Sequence, residues 1–177
     1  SGFLLRRAMQ GRLPLLPAIA KVMDEVMAGP VPRSEATGPL AGEHALLASA
    51  RKLGLFCSGA ASQKYPTTLQ DQQEIMGALA DILIEVLVME SAILRAEKCQ
   101  AAHPIAVPLA QLTAARSFRI VTSAAERILG AVAEGDMLRT QMTIFRRLTK
   151  HEPANSVDLG RAVAEHYRIP RLVDSHL

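Results

Sequence analysis

From Thr67 to about Gln100 the sequence reads as one continuous helix, and its length constrains everything around it. Thr67 and Gln70 have the Thr-x-x-Gln spacing of a capping box, in which each residue satisfies an orphan amide of the other. At 1.5 Å per residue such an element runs roughly 50 Å. A helix that long belongs among other long helices rather than in a sheet. Composition agrees: 49% of residues are hydrophobic, only 3% are aromatic and Trp is missing. Aliphatic side chains interdigitate between closely spaced helices. A sandwich or barrel would draw more on Tyr, Phe and Trp.

Proline and glycine divide the remainder. Residues 3–10 read as the last turns of a helix ended by Gly11. A second helix spans 18–29, with Pro17 near its first position and Gly29 as its stop. Residues 30–39 form a loop rich in Pro and small polar residues. A small-residue helix covers 40–65 and closes at Pro66, with Gly54 and Gly59 as points where a neighbour could come close. Residues 109–135 form another long helix stopped at Gly135. Asp136 is a natural N-cap for 137–150, and Ser156 or Asn155 caps a short final helix over 157–168. No period-two alternation, internal repeat or low-complexity block stands out. Long helices joined by short turns predict an all-α fold, an antiparallel helical bundle with long central helices and a short C-terminal helix.

The long helix carries Asp81, Glu85 and Glu90 inside its apolar run "DILIEVLVMESAILRAEK". At 100° per residue Glu74, Asp81 and Glu85 fall within about 40° of one another. Asp81 and Glu85, four apart, could bridge a metal, but di-iron bundles supply Glu-x-x-His from paired helices. This chain has no Glu-x-x-His, and its five histidines are scattered. A polar stripe facing water or a partner is the preferred reading, and a small helical metalloenzyme is the poorly supported one. Glu90 lies about 140° from Glu85, among Leu79, Leu83, Val86 and Leu94. A buried carboxylate needs a partner or a proton. Arg116, Arg119 and Arg127 on the following helix are candidates for a buried or half-buried pair, with Arg116 or Arg119 level with Glu90. An exposed Glu90 and a chemical role are the alternatives.

Other chemistry leaves few traces. Cys57 and Cys99 belong to no CxxC or Cys/His spacing and read as two free thiols. No nucleophile constellation, glycine-rich phosphate loop or zinc spacing appears. The net charge is +3, and the pairs Arg6-Arg7, Arg51-Lys52 and Arg146-Arg147 are isolated, so no nucleic-acid surface is expected. No window reaches the ~18 uninterrupted apolar residues of a membrane span. No signal peptide is visible.

Three segments, in this order and spacing, resemble one family. "GFLLRRAMQGRLPLLPAIAKVMDEV" resembles the segment after the flavin-binding end of bacterial acyl-CoA dehydrogenases of the very-long-chain type. "SGAASQKYPTTLQDQQEIMGALADILIEVLVMESAILRAEK" resembles the core helices of the extra C-terminal domain in those enzymes, and "IFRRLTKHEPANSVDLGRAVAEHYR" its closing helices. The resemblance covers about residues 2–170. It implies a parent enzyme that uses FAD to oxidise acyl-CoA thioesters between Cα and Cβ, in the bacterial cytoplasm or, in a eukaryote, the mitochondrial matrix. A glutamate takes the α-proton, and electrons leave through an electron-transferring flavoprotein.

The same resemblance divides the chain into entry helices after the dehydrogenase core (1–29), a loop (30–39) and a C-terminal bundle (40–177), treated with 1–29 as one domain. The family's Glu-Gly-Thr-Asn flavin segment and its catalytic base have no counterpart here, so no catalytic, cofactor-binding or metal residue is expected in this chain. Glu90 lies in the extra domain's "MES" segment and does not inherit the base's role. Glu90, Asp81, Glu85, Arg116 and Arg119 are instead expected to be structural. The expected partners are the remainder of the dehydrogenase and its dimer mate. Some relatives attach to a membrane through an amphipathic stretch of this domain. Its counterpart, "AGPVPRSEATGPLAGEH", is short, weakly apolar and rich in Pro and Gly, which does not favour attachment. A free-standing helical protein–protein interaction module is the rival reading.

Overall fold

The computed structural model describes residues 37–168 together with Lys21, Asp24 and Glu25. The helix expected over 3–10, the loop over 30–36 and the tail after 168 lie outside the described residues. So does most of the helix expected over 18–29, of which Lys21, Asp24 and Glu25 are helical. Five helices follow: α1 (Ala41–Lys64), α2 (Gln73–Cys99), α3 (Ala106–Val132), α4 (Gly135–Thr149) and α5 (Ser156–His166). A 3₁₀ turn, Leu69–Asp71, joins α1 to α2. Among the described residues there is no strand.

Helix α3 is the hub, packed against each of the other four, and its tightest partner is the antiparallel α2. Helices α1 and α2 are also antiparallel. Moving seven residues along α1, from His44 to Arg51, moves the ion-pair partner seven residues back along α2, from Glu97 to Glu90. The core between these three helices holds Leu53, Phe56, Ile82, Met89, Ile93, Phe118, Val121, Ile128 and Leu129, each almost wholly buried. Ala50, Ala61, Ala78, Ala114 and Ala125 are also buried and keep the helices near one another. Gly54 does so most directly, since a Cβ there would lie 3.1 Å from Ile82 Cγ2. Helix α4 buries Gln141, Ile144 and Leu148, and its arginines face out. Helix α5 lies on the surface with no buried residue. His151, in the loop before it, meets the buried Phe118 edge-on, with ring centroids 5.0 Å apart.

Several ends differ from expectation. Helix α2 begins at Gln73, not near Thr67, and its 27 residues span about 40 Å. The Thr67–Gln70 box does not form. The chain turns through Leu69–Asp71 instead, and Leu69 packs against the core. A surface cap contributes only about 1 kcal/mol, which even partial burial of a leucine can match. Helix α3 begins at Ala106, before Pro108. A proline in the first turn forfeits only an amide that has no intrahelical partner. At its other end α3 stops at Val132, with Ala133 and Glu134 extended. Gly135 does not end α3 but starts α4, at a φ of +56°, in the left-handed region. Asp136 therefore sits in the first turn, paired to Arg139 at 2.5 Å, and Glu134 takes the N-cap position. For α5 the cap is Asn155, whose Oδ1 accepts from the Asp158 amide at 3.2 Å.

Candidate functional site

Helix α2 presents two apolar faces. One carries Ile75, Ala78, Leu79, Ile82, Met89, Ile93 and Ala96 into the core. The other exposes Met76, Leu83, Ile84, Leu87, Val88 and Leu94, with Leu83 at 66% and Leu87 at 63%. Their spacing repeats about every turn, so the six line one side from Met76 to Leu94. The carboxylates of α2 lie on the two flanks between these faces.

On the α1 flank Glu90 reaches Arg51, with Oε1 2.6 Å from the guanidinium. The expected partners, Arg116 and Arg119, are on the opposite flank, so that pairing is corrected to Arg51 on the preceding helix. A wheel of one helix fixes angles but not which neighbour occupies which side. The pair is half-buried, one of the two burials expected for it, since both side chains keep over a third of their exposure. Two turns away His44 Nε2 lies 2.6 Å from Glu97 Oε1, a contact between two residues that no local pattern connects. Further along α1, Lys52 Nζ lies 2.9 Å from Glu25 and holds that carboxyl below its ordinary pKa by hydrogen bond and charge.

On the α3 flank Asp81 sits 3.7 Å from Arg127, and both side chains are more than half exposed. Glu74 is exposed as well. Glu85 is half-buried, with Oε2 shielded and without a hydrogen-bond partner. Asp81 and the α3 residues Arg116, Arg119, Ile120, Ser123 and Arg127 line a groove of about 390 Å³. The arginines recur at helical spacing along α3, so one side of the groove is a basic ridge. Neither Arg116 nor Arg119 has an acidic partner among the described residues. A second concavity, of about 600 Å³, lies between Pro104, Pro108 and His166.

Two further groups are set by burial. Glu43, in the first turn of α1, is 7% exposed, and desolvation raises its carboxyl above the ordinary value of 4.5 despite a backbone hydrogen bond and the nearby His44. Cys57 is wholly buried with Sγ 3.9 Å from the Ala125 carbonyl, and burial pushes its thiol up to about 12. It is therefore not a nucleophile at neutral pH. Both cysteines are free. Among the described residues no three His, Cys, Asp or Glu side chains converge as a metal site, and no helix is long and apolar enough to cross a membrane. What the arrangement can do is bind: an apolar strip of α2 runs beside the arginine ridge of α3.

Comparison with known proteins bears on the whole chain. The sequence profile of the acyl-CoA dehydrogenase C-terminal domain matches residues 49–147. A probable acyl-CoA dehydrogenase of Bacillus subtilis (strain 168) is 33% identical over 165 residues, which are 90% of this chain and 28% of that protein. The crystal structure of an acyl-CoA dehydrogenase from Bacillus anthracis, complexed with FAD, superposes with a TM-score of 0.85 at 36% identity. That superposition covers 93% of this chain and 29% of the other. The chain thus spans less than a third of the length of either relative.

Proposed function

Because this chain belongs to the family of acyl-CoA dehydrogenase C-terminal domains, we propose that it is the non-catalytic helical domain of an FAD-dependent acyl-CoA dehydrogenase. Its role is structural: it packs against the remainder of the enzyme or across the enzyme's dimer. The whole protein would convert acyl-CoA to trans-2-enoyl-CoA in fatty-acid β-oxidation and pass electrons to an electron-transferring flavoprotein. One observation carries the structural role. A folded domain in which a 27-residue core helix turns six large apolar side chains to solvent has an apolar surface meant to be covered.

The described residues do not fit the flavin. The arginine groove is shallow and lies along the outside of α3. The glycines with positive φ, Gly38 before α1 and Gly135 at the start of α4, do not line it. The cofactor would be held by the rest of the enzyme, so the isolated chain is expected to bind neither FAD nor acyl-CoA. Glu90, Asp81, Glu85, Arg116 and Arg119 would serve as structural groups on the two flanks of α2.

The test is the intact mass and visible spectrum of the natural gene product. A mass several-fold above 19.1 kDa with flavin absorbance is expected. A colourless product of 19.1 kDa would replace this reading with a free-standing helical interaction module.

A further inference from the structure

Resting on that reading, we propose that the α2–α3 face docks onto the rest of the same polypeptide and recognises a surface that is apolar at its centre and acidic along one edge. The centre of the face is the outer strip of α2, from Met76 through Leu83, Ile84 and Leu87 to Leu94. It runs about 27 Å along the helix. Its six large side chains expose roughly 600 Å² of apolar area, at the top of what a monomer ordinarily shows as its largest patch. A standard interface covers about 800 Å² on each partner, so the strip and the adjoining ridge are enough for one.

The edge is set by charge. Ile84 and Val88 stand three and seven residues beyond Asp81, and Asp81 lines the groove with Arg116, Arg119 and Arg127. The apolar strip therefore passes directly into a groove lined by three guanidiniums and one carboxylate, with Glu85 and Glu74 on the same flank of α2 but outside that lining. The Asp81 carboxylate is loosely held, 3.7 Å from Arg127. A guanidinium prefers planar acceptors such as carboxylates, which it can grip with two parallel hydrogen bonds. The surface that covers the strip should bring carboxylates to Arg116 and Arg119.

A second copy does not meet that requirement: a parallel pairing would lay the arginine ridge on the α1 flank, whose Glu90 and Glu97 are already paired with Arg51 and His44. If two copies joined face to face with their α2 helices antiparallel, the twofold axis would lay each α3 flank on the other's α3 flank. Three arginines would then oppose three arginines, which disfavours the pairing. The rest of the dehydrogenase is the occupant the observations favour. In relatives that match along 28% and 29% of their lengths, more than two thirds of the polypeptide is available to supply the complementary surface.

Thiol labelling tests this. Leu87→Cys is placed in the 177-residue chain and in the natural full-length product, with Arg139→Cys, whose parent side chain is 81% exposed, as the reference position. Leu87→Cys should label rapidly in the 177-residue chain and at least tenfold more slowly in the full-length protein. Arg139→Cys should label alike in both. Adding Arg116→Glu and Arg119→Glu to the full-length protein should restore labelling at position 87, while Arg→Lys at both should not. Equal labelling at position 87 in both proteins overturns the docking surface. Protection that survives the charge reversal overturns the acidic edge. Protection that appears in the 177-residue chain as its concentration rises, with a dimer in sedimentation, assigns the face to a second copy instead. A natural product of only 19.1 kDa overturns the reading beneath the proposal, and that result is separate from each of these.

Discussion

The crossing of α1 and α2 at Gly54 gives the sharpest test of the packing. A methyl group at position 54 would meet Ile82 Cγ2 at 3.1 Å, whereas carbon pairs are most stable at about 3.5–4.0 Å. Two effects compete in Gly54→Ala. Replacing glycine in a helix interior gains about 1 kcal/mol of propensity. Forcing a methyl group into a packed core costs about 1–3 kcal/mol. Ile82 is wholly buried and cannot swing aside, so the steric cost should win. Gly54→Ala should therefore lower stability by about 1 kcal/mol, a fall of about 2–4 °C in Tm for a chain of this size. Ile82→Leu removes Cγ2 while nearly keeping volume, and by itself should cost less than about 1.5 kcal/mol. In that background Gly54→Ala should turn stabilising, because only the propensity gain is left. Urea unfolding of the four proteins forms a double-mutant cycle with an expected coupling of about 1–3 kcal/mol. If Gly54→Ala stabilises the unmodified chain and the cycle is additive, the close approach of α1 to α2 is wrong.

Glu43 sets a pH dependence. Its folded carboxyl titrates above its ordinary value because burial disfavours the anion. The folded state then binds the proton more tightly than the unfolded state, so stability falls as pH rises from about 4.5 through the folded value, and the full penalty remains above it. Glu43→Gln should raise the unfolding midpoint at pH 7 and change little at pH 4. A difference that is constant with pH would contradict the assignment. The Arg51–Glu90 pair keeps 48% and 38% of its side-chain exposure, so its coupling energy should be no more than about 1 kcal/mol. That coupling should fade in 1 M salt, where the screening length is about 3 Å, and a salt-insensitive coupling of several kcal/mol would refute the half-exposed geometry. Cys57 should stay unlabelled by thiol reagents at pH 8 in the folded chain and react only on unfolding.

Most of the bundle was legible because proline, glycine and helical periodicity are local signals. The ends of α1 fall within a residue of expectation, since Pro66 cannot continue the helix and α1 stops at Lys64. The Asn155 cap was legible for a similar reason, since its partner amide is three residues away. The errors arose where tertiary packing overrode a local rule. Thr67 and Gln70 have a capping spacing, but the chain turns there with Leu69 half-buried against the core. Gly135 looks like a helix stop, yet its left-handed φ opens α4.

The carboxylates of α2 show the same limit at the candidate site. Treating α2 as a helix with one wet side and one dry side puts Glu90 in a buried or half-buried pair and sends it to Arg116 or Arg119. The helix has instead two apolar sides, one on α1 and α3 and one on solvent, with Glu90 and Asp81 on opposite borders between them. A sequence pattern records that both sides are apolar, but it cannot say that one of them is bare. That distinction comes only from the positions of α1 and α3. It also explains why the carboxylates are where they are: each marks a line where a buried face of α2 gives way to one bare to solvent.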